Sequence, residues 1–146
     1  MKILGIDFGE KRIGLAISDE SQTLAREFGI LSPQEFWRQI GTLIVEHQVK
    51  IAVVGWPLNM SGVPTNKTQQ TEDFKKELEK RTGLKVMLMD ERLSTVMAKS
   101  LPGGKKNVDS FAAQIILQNY LNVNRLEKDN KSNSGNFATI GPNPNL

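Results

Sequence analysis

A chain of 146 residues, 38% hydrophobic and 24% charged, is long enough for one buried core and has the balance of an ordinary globular domain, which argues against general disorder. It has no cysteine and a single histidine, His47, which excludes disulfides, thiolate chemistry and a multi-histidine zinc centre. A net charge of +3 with a pI near 9.2 favours a polyanionic partner only slightly, so the placement of the charges matters more than their sum.

The chain begins Met1-Lys2, and Asp7 stops the apolar run that follows short of the ~7 residues that the core of a signal peptide needs. No stretch approaches the ~18 apolar residues of a membrane span. The expectation is a cytoplasmic protein with no membrane partner.

Lys2 to Asp7 reads as a buried strand that ends on a carboxylate. Phe8 to Lys11 is a turn, Arg12 to Ser18 a second strand, and Thr23 to Leu31 can supply a third after the polar turn Asp19 to Gln22. Connections this short join antiparallel neighbours, so a three-stranded meander is predicted. Ser32-Pro33-Gln34-Glu35 then starts a helix, with Ser32 as N-cap, proline in the first turn and Glu35 closing a capping box. Phe36, Trp37, Ile40, Leu43 and Ile44 form its apolar face, and His47 lies near its end, where a cation suits the helix dipole.

Ile51 to Gly55 is a continuous apolar run, as expected of a central strand covered on both faces. Trp56 to Thr65, with Pro57, Gly62 and Pro64, reads as a loop. A polar helix carrying Phe74 and Leu78 follows and ends near Gly83. Val86 to Met89 is a short apolar strand running into Asp90-Glu91; Ser94 to Ser100 is a short helix that Pro102-Gly103-Gly104 breaks. The last helix is read from Asn107 to Leu121, with Val108, Phe111, Ala112 and Ile115 on its apolar face. Beyond Asn122 the chain is polar and rich in asparagine, which gives a domain of residues 1–122 and an expected mobile tail of 123–146. Hairpins first and strand–helix units afterwards imply an α/β fold, a mixed sheet with helices on its faces.

Two strands read as central end in carboxylates, Asp7 after the first and Asp90-Glu91 after the last, and ligands of open α/β sheets lie beyond such carboxyl ends. Asp109 falls in the first turn of the last helix and would join them if that helix packs across the same edge. Carboxylates brought together repel unless a cation neutralises them, and hard oxygen ligands select magnesium or manganese. Two such ions ~3.5–4 Å apart are the usual arrangement for phosphodiester cleavage. Lys11, Arg12, Arg92, Lys105 and Lys106 flank these acids in sequence and suit a substrate whose phosphates must approach them. Each acid also has an ordinary structural role open to it. Asp7 can start a turn, Asp109 can complement a helix N-terminus, and Asp90, Glu91 and Arg92 can form a solvated charge cluster. Gly103-Gly104-Lys105-Lys106 lacks the spacing and hydroxyl of a P-loop, and there is no Gly-x-Ser-x-Gly.

Four ordered motifs carry a resemblance. They are Gly5-Ile6-Asp7-Phe8-Gly9-x-x-Arg12-Ile13-Gly14-Leu15-Ala16, Val54-Gly55-Trp56-Pro57-Leu58-Asn59-x-x-Gly62, Asp90-Glu91-Arg92-Leu93-Ser94-Thr95, and Val108-Asp109-x-x-Ala112-Ala113-x-Ile115-Ile116-Leu117-x-x-Tyr120-Leu121. Together they resemble the YqgF family, Holliday junction resolvase-like proteins also called pre-16S rRNA nucleases, from Met1 to about Asn122. The resemblance implies an RNase H-like mixed five-stranded sheet with helices on both faces, and a cytoplasmic metal-dependent hydrolase that trims the 5′ end of the 16S ribosomal RNA precursor. Its partners would be that structured RNA and pre-ribosomal particles. By motif, Asp7 matches the family's first-strand aspartate, Glu91 the glutamate of its Asp-Glu-Arg motif, and Asp109 the aspartate opening its last helix. One departure stands out: between Ala98 and Asp109 this chain is shorter than typical members, with Leu101 to Lys106 in place of a longer helix and basic loop.

Three other functions compete. Branched DNA, as in a Holliday junction, would present phosphates to the same metals. A nucleic-acid-binding module with the fold but weak catalysis is suggested by the short segment before Asp109. Gly5-x-Asp7-x-Gly9 also resembles a phosphate loop of actin-like phosphotransferases, but those need two such domains and 146 residues supply one.

Overall fold

The apolar runs read from the sequence become the strands of one mixed sheet. The computed structural model describes residues 1–57, 62–90 and 108–140, the side chains of 108–110 and 130–140 excepted. Among these residues the chain runs β1 (Lys2–Phe8), β2 (Ile13–Ser18), β3 (Ala25–Leu31), α1 (Pro33–His47), β4 (Val49–Trp56), α2 (Asn66–Thr82), β5 (Lys85–Asp90) and α3 (Val108–Ile140). The short helix expected over Ser94 to Ser100 and the break at Pro102 to Gly104 lie outside the described residues.

The strand order is β3-β2-β1-β4-β5. β1 pairs antiparallel with β2, and β2 with β3, which is the expected meander. β4 pairs parallel with β1 on its other side and with β5 beyond it. Ile3, Leu4 and Ile6 of β1 and Ala52, Val53 and Val54 of β4 are wholly buried, because these strands have a neighbour on each side and helices on each face. β5 is a correction to the reading of two central strands with acidic ends: among the described residues it is an edge strand. Its apolar run could not reveal this, since hydropathy reports covered faces and not the number of hydrogen-bonded neighbours. β3, the other edge, places Arg26 and Glu27 in solvent, as edge strands that resist further pairing do.

Two apolar layers sandwich the sheet. On one face Leu4, Ile6, Leu15 and Val54 meet Phe36, Ile40 and Leu43 of α1 and Phe74 and Leu78 of α2. On the other, Ile3, Ala16 and Val53 meet Ala113, Ile116, Leu117 and Leu121 of α3. Each large side chain fully buried here stabilises the fold by ~1.5–3 kcal/mol relative to its exposure.

Local chemistry sets the helix ends. The Ser32 hydroxyl accepts from the Glu35 amide at 3.2 Å, and the Glu35 carboxylate accepts from the Ser32 amide at 3.4 Å, the expected capping box. α1 ends on Gln48 with φ 53°, and the chain passes straight into β4 at Val49, earlier than the Ile51 start expected. α2 ends at Gly83, whose φ of 73° is the left-handed turn that glycine adopts without penalty.

α3 departs furthest from expectation. Its backbone continues to Ile140, well past the Leu121 end read from the sequence. Polar composition alone does not stop a helix: asparagine, lysine and glutamate are all tolerated in one, and no proline occurs between Val108 and Pro142. α3 is also sewn to the edge of the sheet. The Ala25 amide donates to Gln118 Oε1 at 2.8 Å, and the side-chain amides of Gln114 and Gln118 donate to the Ala25 and Thr23 carbonyls at 3.2 and 3.0 Å. Backbone groups at the start of β3 are thereby satisfied by a helix in place of a further strand.

Candidate functional site

Side-chain alternation decides where Asp7 points. Leu4 and Ile6 face α1 and α2, whereas Ile3 faces α3, so Asp7 takes the α3 face at the carboxyl end of β1. Ile6 aligns with Val54, and Gly55 with Met89, so Asp7, Gly55 and Met89 form one row across three strands. Glycine stands in the middle of that row, and no side chain separates Asp7 from the β5 edge. Two strand spacings lie between them, on the order of 10 Å.

The same geometry orients α3. A Cβ placed on Gly5 would lie 2.7 Å from Leu117 Cβ and 2.9 Å from the Ala113 carbonyl oxygen, so helix and strand touch backbone to backbone. Gln118 bonds lower on the sheet, at Thr23 and Ala25, level with the start of β1. Gln114, beside Ala113, reaches the same level through the Ala25 carbonyl. Asp109 falls in the first turn of α3, one turn before Ala113.

A cleft of about 640 Å³ opens beside Asp7 between the β1–β2 turn and the first turns of α2, lined among others by Lys11, Arg12, Asn66, Lys67 and Gln70. The turn is tight: a Cβ on Gly9 would sit 2.7 Å from the Arg12 carbonyl oxygen. Across the cleft the Gln70 side-chain amide donates to the Glu10 carboxylate. Thr68, buried one residue beyond Lys67, donates its hydroxyl to the Pro57 carbonyl and pins the start of α2 to the end of β4. Lys11 and Lys67 are both exposed, and neither ammonium forms an ion pair among the described residues.

Of the residues expected at the site, Asp7, Lys11 and Arg12 are brought together in this cleft. Asp109 is placed by its backbone alone. Glu91, Arg92, Lys105 and Lys106 lie outside the described residues. Among the described residues no three acidic or histidine side chains converge as a metal-binding group. Lys67, Asn66 and Gln70 were missed. No local signal marks them: they reach the site because α2 follows β4, whose carboxyl end lies beside that of β1.

Trp37 is an anchor, packed edge-on against Phe36 at 5.0 Å with the Arg81 guanidinium 4.4 Å over its ring. Trp56 Nε1 is buried with no acceptor among the described residues. His47 closes α1 with its ring edge-on to Phe28 at 5.4 Å. Two displaced titrations lie elsewhere: backbone amides, the Thr23 amide foremost, lower Asp19 at the opposite end of the sheet, and burial followed by the Glu127 charge raises Tyr120.

A family model described as RuvX, Holliday junction resolvase, matches residues 1–123. A protein of Carboxydothermus hydrogenoformans named "Putative pre-16S rRNA nuclease" is 40% identical over 133 residues, covering 84% of this chain and 96% of that protein. One of the same name from Maridesulfovibrio salexigens is 39% identical over 132 residues, covering 83% and 98%. Among solved structures, Thermus thermophilus RuvC in complex with a Holliday junction substrate is similar with a TM-score of 0.58 at 13% identity, over 86% of this chain and 96% of that one. That likeness concerns the fold, which is the RNase H-like mixed five-stranded sheet with helices on both faces.

Proposed function

The chain belongs to the RuvX family, the YqgF family of the motif resemblance, and from that premise we propose that it is a phosphodiester hydrolase acting on nucleic acid with a divalent metal. Its substrate in this reading is the 5′ end of the 16S ribosomal RNA precursor, free or in pre-ribosomal particles, in the cytoplasm. The names of the relatives, at 40% and 39% identity over nearly their whole length, support the RNA. We assign this activity to residues 1–122.

The observation that carries the reading is the row Asp7–Gly55–Met89 on the face covered by α3. Asp7 and Asp109 are assigned as two of three carboxylates at this edge. Glu91 is assigned as the third by the family motif. Asp90 shares its face with Leu88, which packs toward α1 and α2 and away from Asp7, and Glu91 is the glutamate of the Asp-Glu-Arg motif. The donor set fits magnesium or manganese: carboxylate oxygens only, with a glycine where a side chain would otherwise fill the gap. When bound, a pair of such ions supplies water activation and charge stabilisation at the leaving oxygen. The chain's own part is to hold Asp7 rigidly on a central strand and to present Lys11, Arg12 and Arg92 to the substrate phosphates, with Lys105 and Lys106 just ahead of α3.

The test is cleavage by the purified full chain of a short precursor RNA spanning the mature 5′ end, beside a four-way DNA junction, with magnesium and with chelator. Magnesium-dependent cut of the RNA supports the assignment. A cut confined to the junction transfers the activity to branched DNA, and tight binding with no cut of either leaves a binding module.

A further inference from the structure

The cleft beside Asp7 has walls of two kinds. The end of β1 and the turn after it contribute Phe8 and Lys11, and α2 contributes Asn66, Lys67 and Gln70. Phe8 is half-buried and stacks one ring face on Phe74, centroids 4.4 Å apart and planes 24° from parallel, so its place on the cleft wall is held by the core. Lys11 and Lys67 face the same space from opposite walls, with no carboxylate partner among the described residues. Among the described residues the one acid on the walls besides Asp7 is Glu10, and its carboxylate is engaged by Gln70, a bond that also ties the two walls together.

A basic groove with an aromatic side chain in its wall is how proteins hold unpaired nucleic acid, the charges tracking the backbone and the ring taking a base face. Size narrows this further. A cleft of about 640 Å³ lies within the ~300–1,000 Å³ of pockets that enclose a drug-sized molecule, room for about one or two nucleotides and not for a paired helix. We propose that this cleft binds a single-stranded flank of the substrate next to the bond that is cut, with Lys67 of α2 gripping a backbone phosphate opposite Lys11. This rests on the nuclease reading and adds a substrate class to it: the strand entering the site is unpaired on this side.

Binding without divalent metal tests the cleft separately from catalysis. The full chain, in chelator, is titrated by fluorescence anisotropy against a labelled five-nucleotide oligouridine, an oligothymidine of equal length and a blunt-ended RNA hairpin. Either single strand should bind at least ~10-fold tighter than the hairpin, and the ratio of the two identifies the preferred sugar. Lys67→Ala should weaken the single strands and lower their log–log salt slope by ~0.7, one phosphate contact, while leaving the hairpin unchanged. Lys67→Arg should keep the slope, and Lys80→Ala, at the far end of α2, should behave as the unaltered protein. Equal losses on strand and hairpin, or an unaltered slope in Lys67→Ala, overturn the proposal. A protein that binds the strands this way and yet cuts nothing would refute the nuclease and keep the cleft.

Discussion

Asp7 is held at the end of a strand whose neighbours are buried to completion, so its carboxylate can be altered with little consequence for packing. Asp7→Asn should leave the thermal midpoint nearly unchanged. It should reduce cleavage by more than the ~10–100-fold typical of losing an outer partner of a metal ligand. Full activity in a folded Asp7→Asn protein would remove Asp7 from the mechanism. Asp19 gives a second test at this scale. Its carboxylate accepts the Thr23 amide at 2.8 Å and the Leu24 amide at 3.2 Å, and those bonds hold its pKa below the ordinary 3.8. A group lowered in the folded state contributes stability that is complete above the ordinary value and lost as pH falls through the folded one. Urea midpoints measured between ~pH 5 and ~pH 2 should therefore drop less steeply for Asp19→Asn than for the unaltered chain.

At the scale of elements, the contact between α3 and β1 positions the site, and it depends on a missing side chain. Gly5→Ala would set a Cβ 2.7 Å from Leu117 Cβ and 2.9 Å from the Ala113 carbonyl oxygen, neither of which is the free end of a flexible group. The helix must move or the strand must bend. A loss of ~1–3 kcal/mol is expected, seen as a lower urea midpoint at unchanged slope, together with reduced cleavage because the start of α3 shifts relative to Asp7. Strand alternation makes the other prediction. Asp90 lies on the α1–α2 side of β5 and Glu91 follows it, so Glu91→Gln should cost far more cleavage than Asp90→Asn. The reverse order would place the metals on the wrong face.

For the whole molecule, a net charge of +3 is small, and its use depends on where the cations gather. Lys11, Arg12 and Lys67 share the cleft at the carboxyl end of β1, and Lys105 and Lys106 directly precede α3 along the chain. If both lysines before α3 hold phosphate, their double replacement by alanine should weaken binding to every nucleic acid tested. It should also flatten the salt dependence by ~0.7–0.9 log–log units per lost contact. Metal affinity, measured by calorimetry, should stay the same. An unaltered salt slope would return Lys105 and Lys106 to the solvent-facing surface.

Much of this was determined by the sequence alone. Apolar runs, a capping box at Ser32 to Glu35 and short polar turns specify five strands and the helices between them, because period and capping are local properties. Four motifs at compatible spacing were enough to identify the family. Strand order was not local: that β4 inserts beside β1 and leaves β5 at the edge follows from long-range packing, and it alone puts Gly55 between Asp7 and the end of β5. The run of α3 to Ile140 was likewise hidden, since composition past Asn122 lacks an apolar face to read. Lys67 was invisible for a related reason. Nothing in its neighbours along the chain marks it, and it meets Lys11 and Asp7 only because the chain crosses over the sheet and begins α2 where β1 ends.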